Sequence, residues 1–569
     1  MTIAKSRNAL TGFLFILPSF SGMLVFVIVP FFYSLYYCFT EGISAVRFVG
    51  IDNFAALIGN PAFMLAVKNT LVFIGLGVPL LLLCSLALSL GMMNSSFLWV
   101  RWALLAPLMA PIASTAASWR FMLGADGLLS RFLTLFGVGG VNFLGEEWAM
   151  YAIVLLFVWK NLGFMVVIFT SAITAISRER LEVFTLESKS GVKLARHVIL
   201  PLIAPMAFFA VVISIMNSFK MFREIYILYG EMPPKSIYMI QHFMNNNFRK
   251  LNYQRLATAA FLLAGVIVVI VWLFLRLQRR ASKDHYADSP GGANSPYIRG
   301  GAARRAAARS LGTLAALFCL LPFAITVVSS LLPSGAAIAG GATLPPDASL
   351  LRHVSFLQYE QVLLRSPQYL LWFWNSIKIT SCTLLIAIPL SLTAAYGFSK
   401  FRFFGRDALF FLYIVVMLMP FQATLVPQYI TLSSLGLLDR SAAVIFPNAF
   451  SAFGAFLMTQ FMKGIDDEVL GAGRVDGLTD VGLFLRIVLP QSKTAVSATF
   501  VLLFIESWSM VEQPLIFLND PAVFPLSLSL GSMRGGLGAG AVIFLVLPLL
   551  IYLFAYDELV EGIGRSGIK

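Results

Sequence analysis

Two stretches of this chain can be laid over one another: LEVFTLESKSGVKLARHVILP at residues 181–201 and LGAGRVDGLTDVGLFLRIVLP at residues 470–490. At an offset of 289 residues, Leu200-Pro201 falls on Leu489-Pro490 and Glu187 on Asp476. Each stretch is a polar, basic loop between long apolar segments. Outward from the first, apolar segments lie at about 12–39, 70–94, 102–122, 149–176, 202–229 and 256–277. Outward from the second they lie at 311–333, 375–399, 407–426, 442–463, 490–515 and 536–556. A membrane-spanning helix needs roughly 20 apolar residues. The pattern is six spans, a Gly-, Pro-, Ser- and Arg-rich linker at 279–309, and six spans. It predicts an all-α polytopic membrane protein of about 12 transmembrane helices, with domains at 1–278 and 310–569. Even span counts make the two halves parallel, related by a pseudo-twofold axis.

Composition agrees. Of 569 residues, 59% are hydrophobic and 12% charged, with a mean hydropathy of +0.85. Soluble chains sit near ~45–50% apolar and ~25% charged, so a soluble enzyme, a disordered chain and a disulfide scaffold are excluded. The net charge of +14 falls on loops, where Lys and Arg fix orientation, so it does not suggest a nucleic-acid partner. The cysteines (Cys38, Cys84, Cys319, Cys382) lie in apolar runs without a CxxC, and the four histidines are scattered, so no metal site is expected. The first segment is too long for a cleaved signal peptide and five more spans follow it. With the N-terminus cytoplasmic, Lys5, Arg7, both repeated loops, the linker, Arg565 and Lys569 are all inside. Both termini are therefore expected in the cytoplasm.

A second pair of matching stretches lies earlier in each half. KNTLVF (68–73) aligns with WNSIKI (374–379) at an offset of 306, pairing Asn69 with Asn375. The two offsets differ by 17, so the first half carries 17 extra residues, expected in an external loop near 123–148.

The repeated loops resemble the EAA motif of ABC importer permeases, E-A-A-x-x-x-G followed by I-x-L-P. The second copy keeps Asp476, Gly477, Phe484, Ile487, Leu489 and Pro490, with Gly471 where Glu is usual. The first keeps Glu182, His197, Leu200 and Pro201, with Ser188 in place of Gly and Glu187 in place of Asp. Gly allows the sharp turn such a loop needs, and Pro suits the first turn of the helix that follows. The resemblance spans nearly the whole chain. GFLFILPSFSGMLVFVIVPFFYSLYYCFTE (12–41) and FVGIDNF (48–54) look like the first permease of maltose-type carbohydrate importers, and AAYGFSKFRFFGR (394–406) and LGLLDR (435–440) like its partner permease. The chain is identified as two such permeases fused in one polypeptide, with the MetI-like fold.

The resemblance implies a bacterial inner-membrane permease subunit that moves a carbohydrate or polyol by alternating access. An external binding protein would deliver the solute. Two separate ATPase subunits would dock on the two loops and bind the ATP and Mg; this chain would hold no cofactor and no catalytic residue. In keeping with that, no Gly-Lys dipeptide and hence no phosphate-binding GxxxxGK[ST] loop occurs. The fifth spans are the expected solute pathway. There Asn217, Phe219, Lys220 and Arg223 align with Glu506, Trp508, Ser509 and Glu512. Phe219 and Trp508 would stack on sugar rings, and Asn217 and Glu506 would bind hydroxyls. Charge at membrane depth faces the bundle interior, which invites pairing of Glu506 or Glu512 with Lys220 or Arg223. Lys220 and Arg223 alone would suit an anionic solute. Lys160 is a further intramembrane charge, as a pathway residue or snorkelling to an interface. Two alternatives remain. A facilitator of two six-helix halves would not need the two LP-terminated loops, and a membrane enzyme would need clustered catalytic groups at one interface.

Overall fold

The computed structural model describes residues 2–42, 47–92, 98–125, 127–134, 136–137, 140–176, 191–283, 302–332, 354–418, 421, 424–533 and 535–566. Among these residues, nine helices are long and apolar enough to cross a bilayer. Ala9–Cys38, Pro61–Met92, Ala149–Thr174, Met206–Tyr229 and Tyr253–Ile270 belong to the first half. Arg309–Ser330, Pro367–Lys400, Ser441–Met462 and Leu537–Glu558 belong to the second. Two bent pairs raise the number to eleven: Trp99–Met109 with Ile112–Thr134, at 104°, and Asp480–Gln491 with Lys493–Trp508, at 75°. The expected twelfth span, 407–426, is instead two shorter helices, Arg406–Leu418 and Leu425–Ser434. Hydropathy reports how apolar a segment is and not its direction, so these breaks are silent in it. Pro107 and Pro111 flank the 104° break, where proline has no N–H to continue the helix.

Three smaller departures accompany this. A two-stranded antiparallel hairpin, Thr40–Glu41 with Arg47–Phe48, interrupts the all-helical pattern. The helices Tyr253–Lys283 and Ala302–Ser330 run into both ends of the expected linker, whose centre, 284–301, lies outside the described residues. The connection between spans three and four is residues 435–440 in the second half, whereas the first half has an additional helix there, Leu128–Thr134.

Each half lends its first span to the other. In the N-terminal helix, Gly12 and Ile16 lie against Gly397 and Phe401 of the second half so closely that a Cβ on Gly397 would come within 2.8 Å of the Gly12 carbonyl. Ser19 accepts a hydrogen bond from Tyr413, at 3.0 Å. In return, the helix Ala302–Ser330 packs on the first half, where Trp159 Nε1 donates to the Cys319 carbonyl at 3.1 Å and Ser118 and Thr326 share a hydrogen bond of 2.7 Å. In lipid there is no hydrophobic force between helices, so small residues and such polar links supply the packing. Among the nine unbent spans, the fourth is the most buried in each half. At Gly163 a Cβ would sit 2.0 Å from the Leu104 carbonyl, so spans three and four touch backbone to backbone.

The two LP sequences share one local device. A π-helical turn covers Ala195–Ile199 before Leu200-Pro201 and Phe484–Val488 before Leu489-Pro490. The N–H of Leu200 reaches back to Ala195 and that of Leu489 to Phe484. Proline at the next position clashes with the carbonyl four residues back, and widening the turn accommodates it. The same turn, Leu24–Ile28, precedes Val29-Pro30 in the first span.

Candidate functional site

Of the two repeated loops, the second is described in full. Helix Asp467–Val475 ends in a left-handed Gly477 (φ +84°). The Leu478 N–H bonds the Gly473 carbonyl at 3.0 Å and the Gly477 N–H bonds that of Arg474 at 3.1 Å. This paired closure is a Schellman motif, which favours Gly at that position. Gly473 is closely packed: a Cβ there would meet the side-chain ends of Ile487 and Leu483 at 2.6 and 2.7 Å. Gly471, by contrast, faces open space. Thr479 caps the next short helix by accepting the Gly482 N–H at 3.2 Å.

The loop is fastened to the membrane bundle. Lys400 pairs with Asp467 at 2.8 Å and Tyr396 Oη donates to the Asp480 carbonyl at 3.2 Å, while within the loop Arg474 pairs with Asp480 at 3.3 Å. Leu470, Leu483, Phe484 and Val488 are buried in a cluster that includes Phe15 of the first half, whose ring is 5.9 Å from that of Phe484. Facing away from this anchorage are Val469, Val481, Leu485 and above all Val475, which is 88% exposed, together with exposed Gly471, Asp476 and Pro490; Leu489 is half-buried. Exposed apolar groups rimmed by charge are what a partner protein covers. In the first loop, Glu182, Glu187 and Ser188 lie outside the described residues; Leu200 and Pro201 are exposed beyond their π turn.

A cavity of about 410 Å³ lies between the halves. The first half contributes Lys160, Asn161, Asn217, Phe219, Lys220, Arg223 and Glu224; the second contributes Gln428, Asn448, Glu506, Ser509, Glu512 and Gln513. The expected pathway residues are therefore brought together, with one exception. Trp508 is 1% exposed, stacked between Phe504 and Phe544, and donates through Nε1 to the Phe544 carbonyl at 3.2 Å. It packs the core and does not face the cavity, contrary to its expected role as a ring contact, because the helix turns that face away. Phe219 does line the cavity.

The charges of the cavity are matched across and within the halves. Lys220 Nζ stands 3.1 Å from Glu506 Oε1, joining the two halves. Arg223 donates to the Ser509 carbonyl of the other half at 3.1 Å. Lys160 is paired with Glu224 rather than snorkelling to a surface, and that pair is largely buried. Amides tie span four to span five in the first half, where Asn217 donates to Asn161 at 2.8 Å, and to the following helix Glu512–Phe517 in the second, where Asn448 and Gln513 exchange hydrogen bonds of 3.0 and 3.1 Å. Four buried polar atoms on cavity-lining residues have no hydrogen-bond partner: Arg223 Nε, Glu224 Oε2, Gln428 Oε1 and Ser509 Oγ. Buried polar groups are normally satisfied, so these four atoms mark the polar part of the cavity wall. The sequence reading missed Glu224, Gln428 and Gln513 and gave Ser509 no role. Only the alignment of Ser509 with Lys220 hinted at any of them. Among the described residues, no cluster of His, Cys, Asp or Glu could hold a metal.

Comparison with known proteins decides the family. Residues 387–565 match the model for the binding-protein-dependent transport system inner membrane component. The arabinooligosaccharides transport system permease AraQ of Bacillus subtilis is 30% identical over 268 residues, 46% of this chain and 92% of AraQ. The chain belongs to this family. It is a transport permease of the membrane and not an enzyme. The sn-glycerol-3-phosphate permease UgpE of Yersinia pestis is 27% identical over 44% of this chain and 92% of its own length. A bacterial ABC transporter involved in import of the acidic polysaccharide alginate is 23% identical over 46% of this chain and 93% of its own, with a TM-score of 0.41. The permease is about twice as long as these relatives, as a fusion of two permease halves would be.

Proposed function

We propose that this chain is the complete membrane pathway of an ABC importer, two permease domains (1–278 and 310–569) joined through 279–309, and that its solute is a neutral carbohydrate or polyol. The observation that carries the solute reading is the cavity: three cations (Lys160, Lys220, Arg223) stand with three carboxylates (Glu224, Glu506, Glu512) and unpartnered hydrogen-bonding atoms. Such a wall has hydrogen bonds to offer and no net charge. It suits hydroxyl groups better than the phosphate or carboxylate that Lys220 and Arg223 by themselves suggested. Phe219 is the aromatic face for a sugar ring, with Asn217 and Glu506 beside it.

The two LP-terminated loops are the docking points for two separate ATPase subunits, which bind the ATP and Mg; Glu182, Glu187 and Ser188 would act in the first, Gly471, Asp476 and Gly477 in the second. The termini and both loops face the cytoplasm, where Lys and Arg concentrate. A binding protein delivers solute from the other side, and rigid-body rocking exposes the cavity to each side in turn. Fusion makes pairing of the halves intramolecular. Reconstitution with the ATPases and binding protein tests this: ATP should drive uptake of a neutral oligosaccharide or polyol in preference to a phosphorylated or uronate sugar. Preference for the anionic sugar would refute the solute reading. Failure of any ATPase to bind would refute the importer reading.

A further inference from the structure

At the end of the bundle opposite the repeated loops, the match of KNTLVF with WNSIKI becomes a set of hydrogen bonds built twice. In the first half, Asn69 Nδ2 donates to the carbonyls of Lys235 and Tyr238, at 2.7 and 3.0 Å, and Thr70 Oγ1 accepts the Ile240 N–H at 3.1 Å. In the second, Asn375 Nδ2 donates to the carbonyls of Ala522 and Phe524, at 2.8 and 3.1 Å, and Ser376 Oγ accepts the Leu526 N–H at 2.8 Å. All four side chains are buried.

A carboxylate from the connection between spans three and four completes each set. Glu146 accepts the N–H groups of Lys235 and Ser236, at 2.9 and 2.6 Å. Asp439 accepts the backbone and side-chain N–H groups of Asn519. Backbone hydrogen bonding by Asn519 holds the Asp439 carboxyl below the usual carboxylate range, so it stays charged. The segment so held then bonds the cavity wall: Gln241 Nε2 donates to the Phe219 carbonyl at 2.6 Å, and Ser527 Oγ donates to the Met510 carbonyl. Phe219 and Met510 both line the cavity.

Each half thus has a continuous hydrogen-bonded route from its second span, through the segment between spans five and six, to the solute wall. Moving that segment would leave buried carbonyls without donors, which is expensive. We infer that Asn69 and Asn375 are positioning residues for the cavity. Each locks the segment after span five to span two and, through Phe219 or Met510, fixes the wall against which solute sits. Neither residue touches solute. The inference rests on the cavity being the solute site.

The complete transporter, with its ATPases and binding protein, gives two readouts: solute moved and ATP hydrolysed. Asn69→Ala and Asn375→Ala should each lower the solute moved per ATP about fivefold, with assembled complex and ATP hydrolysis within about twofold of the unsubstituted protein. Thr70→Val and Ser376→Ala remove one acceptor with little change of volume and should lower the ratio in the same direction by less. An unchanged ratio in the Asn variants, or transport and hydrolysis falling in equal proportion, overturns the inference. Should the Asn variants fail to assemble, the Thr70 and Ser376 variants decide, and an unchanged ratio there overturns it. An unsubstituted complex that moves no solute on ATP defeats the importer reading itself, and the positioning role with it.

Discussion

The two ends of the fifth-span region differ in how faithfully they repeat. Beyond the cavity, Asn69-Thr70 and Asn375-Ser376 make the same hydrogen bonds to the same kind of segment. Inside the cavity the symmetry is gone: Lys220 of one half faces Glu506 of the other, and Arg223 faces the Ser509 carbonyl. The frame is held in common by both halves, while the lining of the cavity is heterologous. A solute without a twofold axis asks for this arrangement. It also explains why a single chain is advantageous, since two copies of either half could not form the Lys220–Glu506 pair.

The comparison can be broken most severely at the buried pair. Glu224→Gln leaves Lys160 charged and unpaired, and removing one partner of a buried pair costs about 3–5 kcal/mol. The variant should lose thermal stability and membrane abundance, while Lys160→Met combined with Glu224→Gln should regain most of both. A lone Glu224→Gln as stable as the parent would remove the pair from the account.

A pH test addresses the frame. His242 lies in Ile240–Arg249, the segment clamped by Asn69 and Thr70. Its Nδ1 accepts the Met239 N–H at 3.2 Å and its ring is buried, which pushes its pKa down to about 3. The folded segment therefore refuses a proton that the opened one binds below its ordinary pKa of 6.5. Stability from this group is complete above pH 6.5 and is lost as pH falls toward 3, by about 2 kcal/mol at pH 5. Corrected for the slower intrinsic exchange at lower pH, the protection of 240–249 should fall between pH 7 and pH 5, and His242→Gln should flatten the change.

Two glycines of the second loop, Gly477 and Gly471, sharpen the contrast between a position the backbone requires and one it does not. Gly477→Val places a branched side chain at φ +84°, at about 1–2 kcal/mol, and should depress ATP-driven uptake. Gly471→Ala meets nothing within this chain and sits in a helix, so it should leave the fold unchanged or stabilise it by up to about 1 kcal/mol, and a loss of uptake would then report the docked face. Uptake assays with both variants check the pair.

The smallest effect on stability belongs to Lys220–Glu506, whose side chains are 54% and 43% exposed. Such pairs are worth about 0–1 kcal/mol, so Glu506→Gln should leave the melting temperature nearly unchanged and still impair uptake. Exchanging the charges, Lys220→Glu with Glu506→Lys, should restore part of it. Unchanged uptake in Glu506→Gln would remove this pair from the pathway.

Much of this was legible in the residues. Apolar length gave the spans, and the repeat at offset 289 put Asn217, Phe219, Lys220, Arg223, Glu506 and Glu512 in one place. What hydropathy could not give was direction. The 104° and 75° bends and the split of 407–426 depend on local backbone, which leaves apolarity unchanged. The same blindness misplaced Trp508, because facing the cavity or the core is a matter of helix rotation. Glu224 was hidden because its partner, Lys160, lies 64 residues away on another span.

The central claim is that the cavity between the halves opens to each side in turn. A single cysteine in place of Asn217, with the four native cysteines replaced, reports this directly in the complete transporter. Impermeant thiol reagents should reach it from one side without ATP and from the opposite side in the ATP-trapped complex. Labelling from the same side in both states would contradict the account.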